Sequence, residues 1–307
     1  MRILVTGASG FIGGYIVERL ARQVSNTIIA TGRTPTKRFD QFANVSYETA
    51  DLTLDLQKQQ CDICIHCAGL ADDRASATQL ELQNVTATKR LLESLSGCGL
   101  FIYISSSSVY DFSDGTVKNE TDATPVADIS DYGSSKLRGE STVIESGLPV
   151  IYILRPRAVY GPGDRVLLPR ILKAIRKKFT VILGSLDVLS SMTHVENLYE
   201  VIEKVMLRNS QGIHIYNIAD LQPYHLREVF AAISLKKSGH QRFLHIPVPL
   251  VKRLIRFAGI LGIESAVSQQ SLDYLSQNSV LSIEKIRREI GYVGQINFKD
   301  SMPNLDL

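Results

Sequence analysis

Thr6-Gly7-Ala8-Ser9-Gly10-Phe11-Ile12-Gly13 follows a short apolar run, Arg2 to Thr6, and leads into an amphipathic stretch that begins at Phe11. A strand, a glycine turn and a helix in that order give such a motif its meaning. Gly7 permits the tight turn, Gly10 lets the backbone approach a pyrophosphate, and Gly13 lets the helix pack close to the sheet. The helix start offers free N–H groups to an anion. Ser9, Phe11 and Ile12 therefore join the three glycines as candidate dinucleotide contacts. The spacing is G-x-x-G-x-x-G rather than G-x-G-x-x-G, and the flanking elements favour dinucleotide binding over a turn that merely packs.

Outward from this turn, short β-branched runs alternate with helical patterns, the signature of βαβ units and a parallel sheet. Strands are expected at Arg2 to Thr6, Thr27 to Thr31, Val45 to Tyr47, Asp62 to Cys67, Leu100 to Ser105, Val150 to Leu154 and Ile213 to Ile218. Helices are expected at Phe11 to Val24, Ala75 to Leu95, Tyr132 to Glu145, Leu167 to Lys178 and Val195 to Leu207. Gly97 and Gly147 serve as stop signals. The expected fold class is α/β, a doubly wound parallel Rossmann sheet with a smaller C-terminal substrate lobe. Residues 1–165 would form the Rossmann domain, rejoined by about 192–220, and residues 166–191 and 221–307 the substrate lobe.

The chain has 307 residues, 44% of them apolar, enough to bury a large core. Thirty-four basic and 31 acidic side chains leave a net charge of only +3, so no strong field points to nucleic acid. Cys61, Cys64, Cys67 and Cys98 do not form a secreted-type disulfide framework and suit a reduced, cytoplasmic setting. A glycine turn beginning at Gly7 leaves no room for a signal peptide before it. No apolar run reaches the length of about 20 residues that spans a bilayer. The nearest, Ile246 to Ile263, is interrupted by Lys252, Arg253 and Arg256 and reads as an amphipathic helix packed on its own domain rather than an interfacial anchor.

The end of the second strand is where NAD-preferring proteins place an acid for the ribose hydroxyls. Thr31-Gly32-Arg33 stands there instead. An arginine can pair bidentately with a 2′-phosphate, so NADP is expected over NAD. Lys37 and Arg38 either add to that pocket or do nothing. Asp51-Leu52, after the third strand, are candidate adenine contacts.

Tyr132-Gly133-Ser134-Ser135-Lys136 places a phenol and an ammonium four residues apart, on one helix face. A free phenol titrates near pH 10 and is a poor base at neutrality; a neighbouring cation would lower that value. Ile104-Ser105-Ser106-Ser107-Ser108-Val109-Tyr110 ends the fifth strand with hydroxyls aimed at the ligand edge, able to donate to a substrate oxygen as charge develops on it.

Together these residues resemble the extended short-chain dehydrogenase/reductase superfamily, also called the NAD-dependent epimerase/dehydratase family. The resemblance spans nearly the whole chain. It includes the glycine turn, Asp51-Leu52, His66-Cys67-Ala68-Gly69, Asn84-Val85 with Thr88, Ser106 through Tyr110, Tyr132 with Lys136, and Arg155-Pro156-Arg157-Ala158-Val159-Tyr160-Gly161-Pro162-Gly163-Asp164. It implies that Ser106, three positions before Val109, is the active serine and acts with Tyr132 and Lys136. It further implies cofactor contacts from Cys67, Ala68, Gly69, Asn84 and Pro156, with Tyr132 and Lys136 also meeting the cofactor. Homodimers through the helices at Ala75 to Leu95 and Tyr132 to Glu145 are a further implication. Cys61-Asp62-Ile63-Cys64-Ile65-His66-Cys67 imitates a metal site, but Cys64 and Cys67 face opposite ways on a strand, and no metal is expected.

Departures from the family pattern narrow the chemistry. Related dehydratases carry an acidic pair beside the active hydroxyl, where this chain has Ser107 and Ser108. Many nucleotide-sugar epimerases carry Phe-Asn before the Tyr-Gly-Pro turn and an arginine before a later Val-Asp; here Pro156-Arg157 and Ser191-Met192-Thr193-His194-Val195-Glu196-Asn197 stand at those places. The expected function is hydride transfer between a nicotinamide and a carbonyl or hydroxyl of a small molecule, as in hydroxysteroid-dehydrogenase-like reductases. A nucleotide-sugar epimerase using tightly bound NAD(P), with Arg157 or Arg165 holding the sugar nucleotide, is the first alternative. A non-catalytic NADP sensor is the second, though a sensor needs neither Tyr132 nor Lys136.

Overall fold

The structure, a computed structural model, describes residues 1–54, 56–72, 74–184, 186–208, 210–251, 253 and 275–305. Seven parallel strands form its centre: β1 (Arg2–Thr6), β2 (Thr27–Gly32), β3 (Val45–Thr49), β4 (Ile63–His66), β5 (Leu100–Ile104), β6 (Val150–Pro156) and β7 (Gly212–Ile218). Their order is β7-β6-β5-β4-β1-β2-β3. The order reverses between β1 and β4, and open α/β sheets bind ligands at the carboxyl ends of strands beside such a switch point. Thr6 of β1 is there in register with His66 of β4.

Alternation along the strands sorts side chains onto two faces. Ile3, Val5, Ile28, Ala30, Ile63, Ile65, Ile102 and Ile104 enter one apolar cluster with α1 (Phe11–Ala21) and α5 (Val195–Met206). Leu4, Ile29, Cys64, Phe101, Tyr103, Ile151 and Ile153 enter another with Leu91 of α2 (residues 77–94) and Val143 of α3 (Asp131–Ile144). At about 1.5–3 kcal/mol per fully buried large apolar side chain, both faces contribute strongly to stability. Helix α2 starts α-helical at Ala77–Leu80, passes through a π-helical segment at Glu81–Thr86 and resumes over Ala87–Ser94. The π segment was not legible in the sequence.

A third cluster unites Tyr160, Leu168, Ile171, Ile182, Met192, Leu226, Phe230 and Phe298 around α4 (Leu167–Leu172) and α6 (Leu226–Ser238). The helix expected at Leu167 to Lys178 ends at Leu172. The chain then turns back on itself, with Arg176 N–H donating to the Phe179 carbonyl and Ile175 bridging Thr180, and those bonds replace the i to i−4 ladder. Asp220, 3% exposed, binds the cluster to the sheet: it accepts from the Tyr160 and Tyr224 hydroxyls, His194 N–H and Asn197 Nδ2. Most of the helix expected between Ile246 and Ile263 lies outside the described residues. No helix among the described residues is long and apolar enough to cross a membrane.

Candidate active site

The glycine turn has the geometry that a dinucleotide needs. Gly7 sits at φ +70°, and a Cβ on it would lie 2.7 Å from the Ala68 nitrogen, so the turn and the loop after β4 touch through backbone alone. A Cβ on Gly13 would lie 2.5 Å from the Gly7 carbonyl. At Gly10 the same atom would meet only the Gly7 oxygen, at 3.1 Å, and otherwise open space. No side chain caps α1. The first N–H groups, at Phe11 and Ile12, thus border a cradle that an anion can enter.

The adenosine end is bounded by Arg33 and Asp51. Arg33 is exposed and donates from Nη1 to Gln83 Oε1 at 3.1 Å. Two hydrogen bonds from Thr53 hold the Asp51 carboxyl below its ordinary value, and the Arg33 charge adds to that. Leu52 is buried beside it. Arg38, left open by the sequence, is committed: its Nε and Nη2 pair with both Glu18 oxygens at 2.7 and 3.0 Å, and Nη1 reaches the Gly10 carbonyl.

Cys67, Ala68 and Gly69 form the loop over the switch point. Asn84, in the π segment of α2, fixes it by donating to the Leu70 carbonyl and accepting from Leu70 N–H at 2.7 Å, while its Nδ2 also reaches Ser135 on α3. π segments recur at functional sites, and this one turns Asn84 inward. His66, part of the metal-like run, is fully buried between hydroxyls: Nδ1 lies 2.7 Å from Thr6 Oγ1 and Nε2 3.0 Å from Thr88 Oγ1. Burial, with the Lys136 charge, pushes it down to about 3, so the imidazole is neutral. Burial pushes the Cys67 thiol up to about 12, against the pull of Lys136.

Helix α3 is brought onto the serine turn by Gly133, where a Cβ would lie 2.0 Å from the Ser108 carbonyl oxygen. Ser130 caps that helix by accepting from Gly133 N–H. The approach brings the start of α3, with Tyr132, onto the turn that carries Ser106. Ser107 points away and accepts from Arg157 Nη1 at 3.3 Å. Only Ser106 and Ser108 of this run keep partial exposure at the site, and Ser106 Oγ donates to Ser108 Oγ.

The electrostatics differ from the expectation that Lys136 lowers the Tyr132 pKa. Burial raises the phenol above its ordinary value, with the Ser106 hydrogen bond working the other way. Lys136 Nζ instead donates to the Ile104 carbonyl at 2.8 Å and lies 4.2 Å from the Tyr103 ring centroid. It is 4% exposed, and burial pushes it down to about 8, with Glu140 and Cys67 acting in the opposite sense. Tyr110, at the end of the serine run, is also committed: its hydroxyl donates to Asn217 Oδ1 and accepts from Arg155 Nη1 at 2.8 Å. Behind the site, Arg155 pairs bidentately with Glu140, both nearly fully buried, and Ser105 donates to the same carboxylate. Pro156 ends β6 and is buried.

The family described as "NAD dependent epimerase/dehydratase family" matches residues 3–219. A 4-hydroxy-2-methyl-3-oxo-4-farnesyl-3,4-dihydroquinoline-1-oxide ketoreductase of Stigmatella aurantiaca is 25% identical over 99% of this chain and 96% of its own. A decarboxylating sterol-4-alpha-carboxylate 3-dehydrogenase of Dictyostelium discoideum is 27% identical over 99% of both chains. Among solved structures, UDP-glucuronic acid 4-epimerase from Bacillus cereus in complex with NAD superposes with a TM-score of 0.75 at 22% identity, covering 99% of this chain and 97% of that one. The last likeness speaks to the fold alone.

Proposed function

Because the chain belongs to the NAD dependent epimerase/dehydratase family, we propose that Ser106, Tyr132 and Lys136 work a hydride-transfer site for a carbonyl or alcohol of an apolar small molecule. The enzyme is an NAD(P)-dependent oxidoreductase of the extended short-chain dehydrogenase/reductase type. The observation that carries the proposal is the closure of α3 on the serine turn at Gly133, which brings Tyr132 and the buried Lys136 to the carboxyl end of β5, where Ser106 keeps partial exposure. The dinucleotide, when bound, supplies or accepts the hydride. Gly7, Ser9, Gly10, Phe11, Ile12 and Gly13 would hold its pyrophosphate; Arg33, Asp51 and Leu52 its adenosine; and Cys67, Ala68, Gly69, Asn84 and Pro156 would line its path to the nicotinamide.

In the reducing direction Tyr132 gives its proton to the substrate oxygen, while Ser106 donates a hydrogen bond to that oxygen as charge builds on it. Burial keeps the phenol protonated at neutral pH. That state suits an acid, the role Tyr132 takes in the reducing direction. Lys136, positively charged below about pH 8, orients the cofactor ribose from its anchor on Ile104.

NADP is proposed over NAD because Arg33 stands exposed at the end of β2, with Thr31 where an acid would be. An apolar substrate is proposed because the ketoreductase and the sterol dehydrogenase are full-length relatives, and because neither arginine considered for a sugar nucleotide is placed for one. Arg157 is stacked 4.5 Å from the Phe112 ring centroid and bonded to Ser107. Arg165 lies over the glycine turn, at Ser9. The third cluster would form the substrate lobe, and a homodimer through the α2 and α3 faces is proposed from the family resemblance. The deciding experiment sets NADPH consumption with a panel of hydrophobic ketones against binding of UDP- and GDP-sugars by calorimetry. Ketone-dependent oxidation without sugar-nucleotide binding is expected; the reverse would select the epimerase reading.

A further inference from the structure

Between β6 and α4 the chain leaves the substrate side and crosses to the glycine turn. Its base is fixed by Arg157 N–H donating to Thr193 Oγ1 and by the pairing of Val159 and Tyr160 with Thr193 and His194. Its far end is fixed by Asp164, whose carboxylate accepts from the backbone N–H groups of Val166, Leu167 and Leu168 at 2.7, 3.0 and 2.9 Å. Between these anchors Arg165 projects back across 156 residues of sequence, and its Nη1 lies 3.4 Å from the Ser9 carbonyl. Gly163 stands close enough to α1 that a Cβ on it would be 3.8 Å from Phe11 Cδ2.

The position is electrostatically incomplete. A helix N-terminus carries roughly half a positive charge, so a guanidinium beside it is repelled unless an anion lies between them. Arg38 approaches the same turn and is balanced by bidentate pairing with Glu18. Arg165 is exposed and makes no ion pair among the described residues; a bond of 3.4 Å to a neutral carbonyl is beyond the usual N–H···O range of about 2.7–3.2 Å. Its partner Ser9 directly precedes Gly10, where a Cβ would meet nothing but the Gly7 oxygen.

We infer that Arg165 is a pyrophosphate clasp: its guanidinium moves from the Ser9 carbonyl onto the oxygens of the cofactor diphosphate and closes the dinucleotide against α1 from the outer side. The inference rests on the dinucleotide reading above and adds to it a residue outside the glycine motif. No bond is made or broken; the contact is a charge-assisted fork of the kind guanidinium forms with phosphate. Because the diphosphate is common to NADP and NAD, the clasp strengthens both alike, unlike Arg33.

Calorimetric titration of wild type, Arg165→Ala, Arg165→Lys and Arg33→Ala with NADPH, NADH and ADP-ribose tests it. Arg165→Ala is expected to weaken all three ligands by a common factor of roughly tenfold to a hundredfold, the loss for a hydrogen bond to a charged group. Arg165→Lys should recover part of it, and Arg33→Ala should separate NADPH from NADH. The melting temperature of the ligand-free Arg165→Ala protein should match wild type, since the guanidinium is exposed and reaches Ser9 through one long bond. Unchanged affinity in Arg165→Ala, with a wild type that binds, overturns the clasp and leaves the dinucleotide site standing. A wild type that binds none of the three ligands overturns both.

Discussion

Lys136 and Ile104 are joined by a 2.8 Å hydrogen bond from the ammonium to the last carbonyl of β5. The strand end thereby holds the lysine that helix periodicity had paired with Tyr132 one turn away. On the function proposed above, Lys136 would act on the cofactor and Tyr132 on the substrate oxygen, so their mutants should separate the two roles.

Tyr132→Phe keeps the ring and removes the proton. Turnover should fall by roughly 10² to 10⁴, the usual worth of a positioned acid, while NADPH affinity stays close to wild type. Steady-state kinetics with calorimetry checks both. Near-wild-type turnover on a reducible ketone would sink the assignment, and Tyr110 would not replace it, because Arg155 and Asn217 occupy its hydroxyl.

For Lys136 the pH dependence carries a sign. Its folded pKa, about 8, lies below the ordinary lysine value of 10.5, so between those values the unfolded chain binds more protons and stability rises with pH. Relative to Lys136→Met, which cannot titrate, wild type should gain on the order of 3 kcal/mol between pH 7 and pH 10.5. Urea midpoints of both proteins at the two pH values measure it. A constant difference would mean that the ammonium is not desolvated.

Arg33→Ala should weaken NADPH by roughly tenfold to a hundredfold and NADH little, as expected for loss of a charge-assisted contact to a 2′-phosphate. Titration with both cofactors decides. Equal loss, or none, would reduce Arg33 to the partner of Gln83 and Asp51 seen here.

The pair Arg155 and Glu140, 3% and 2% exposed, should behave as a buried ion pair. Arg155→Met strands a carboxylate and should cost about 3–5 kcal/mol in chemical denaturation. Adding Glu140→Leu should restore a good part of that loss, since the stranded carboxylate is then removed. A single variant with wild-type stability would show that water reaches the carboxylate.

The sheet and the glycine turn were legible from the chain alone. Alternating apolar residues such as Ile3, Leu4 and Val5 must face opposite sides of a strand, and Gly13 stands against the Gly7 carbonyl of its own turn; such constraints act between near neighbours. Tyr132 and Lys136 stand out as candidates by their spacing, and Ser106 only through the family resemblance. Tertiary structure alone decided what these groups experience. The Ile104 carbonyl captures Lys136 across 32 residues, burial raises Tyr132, Glu140 claims Arg155, and a crossing loop delivers Arg165 to Ser9. Hydrogen-bond partners, desolvation and charge pairing depend on distances through space, and the sheet order brings together residues that no local periodicity relates.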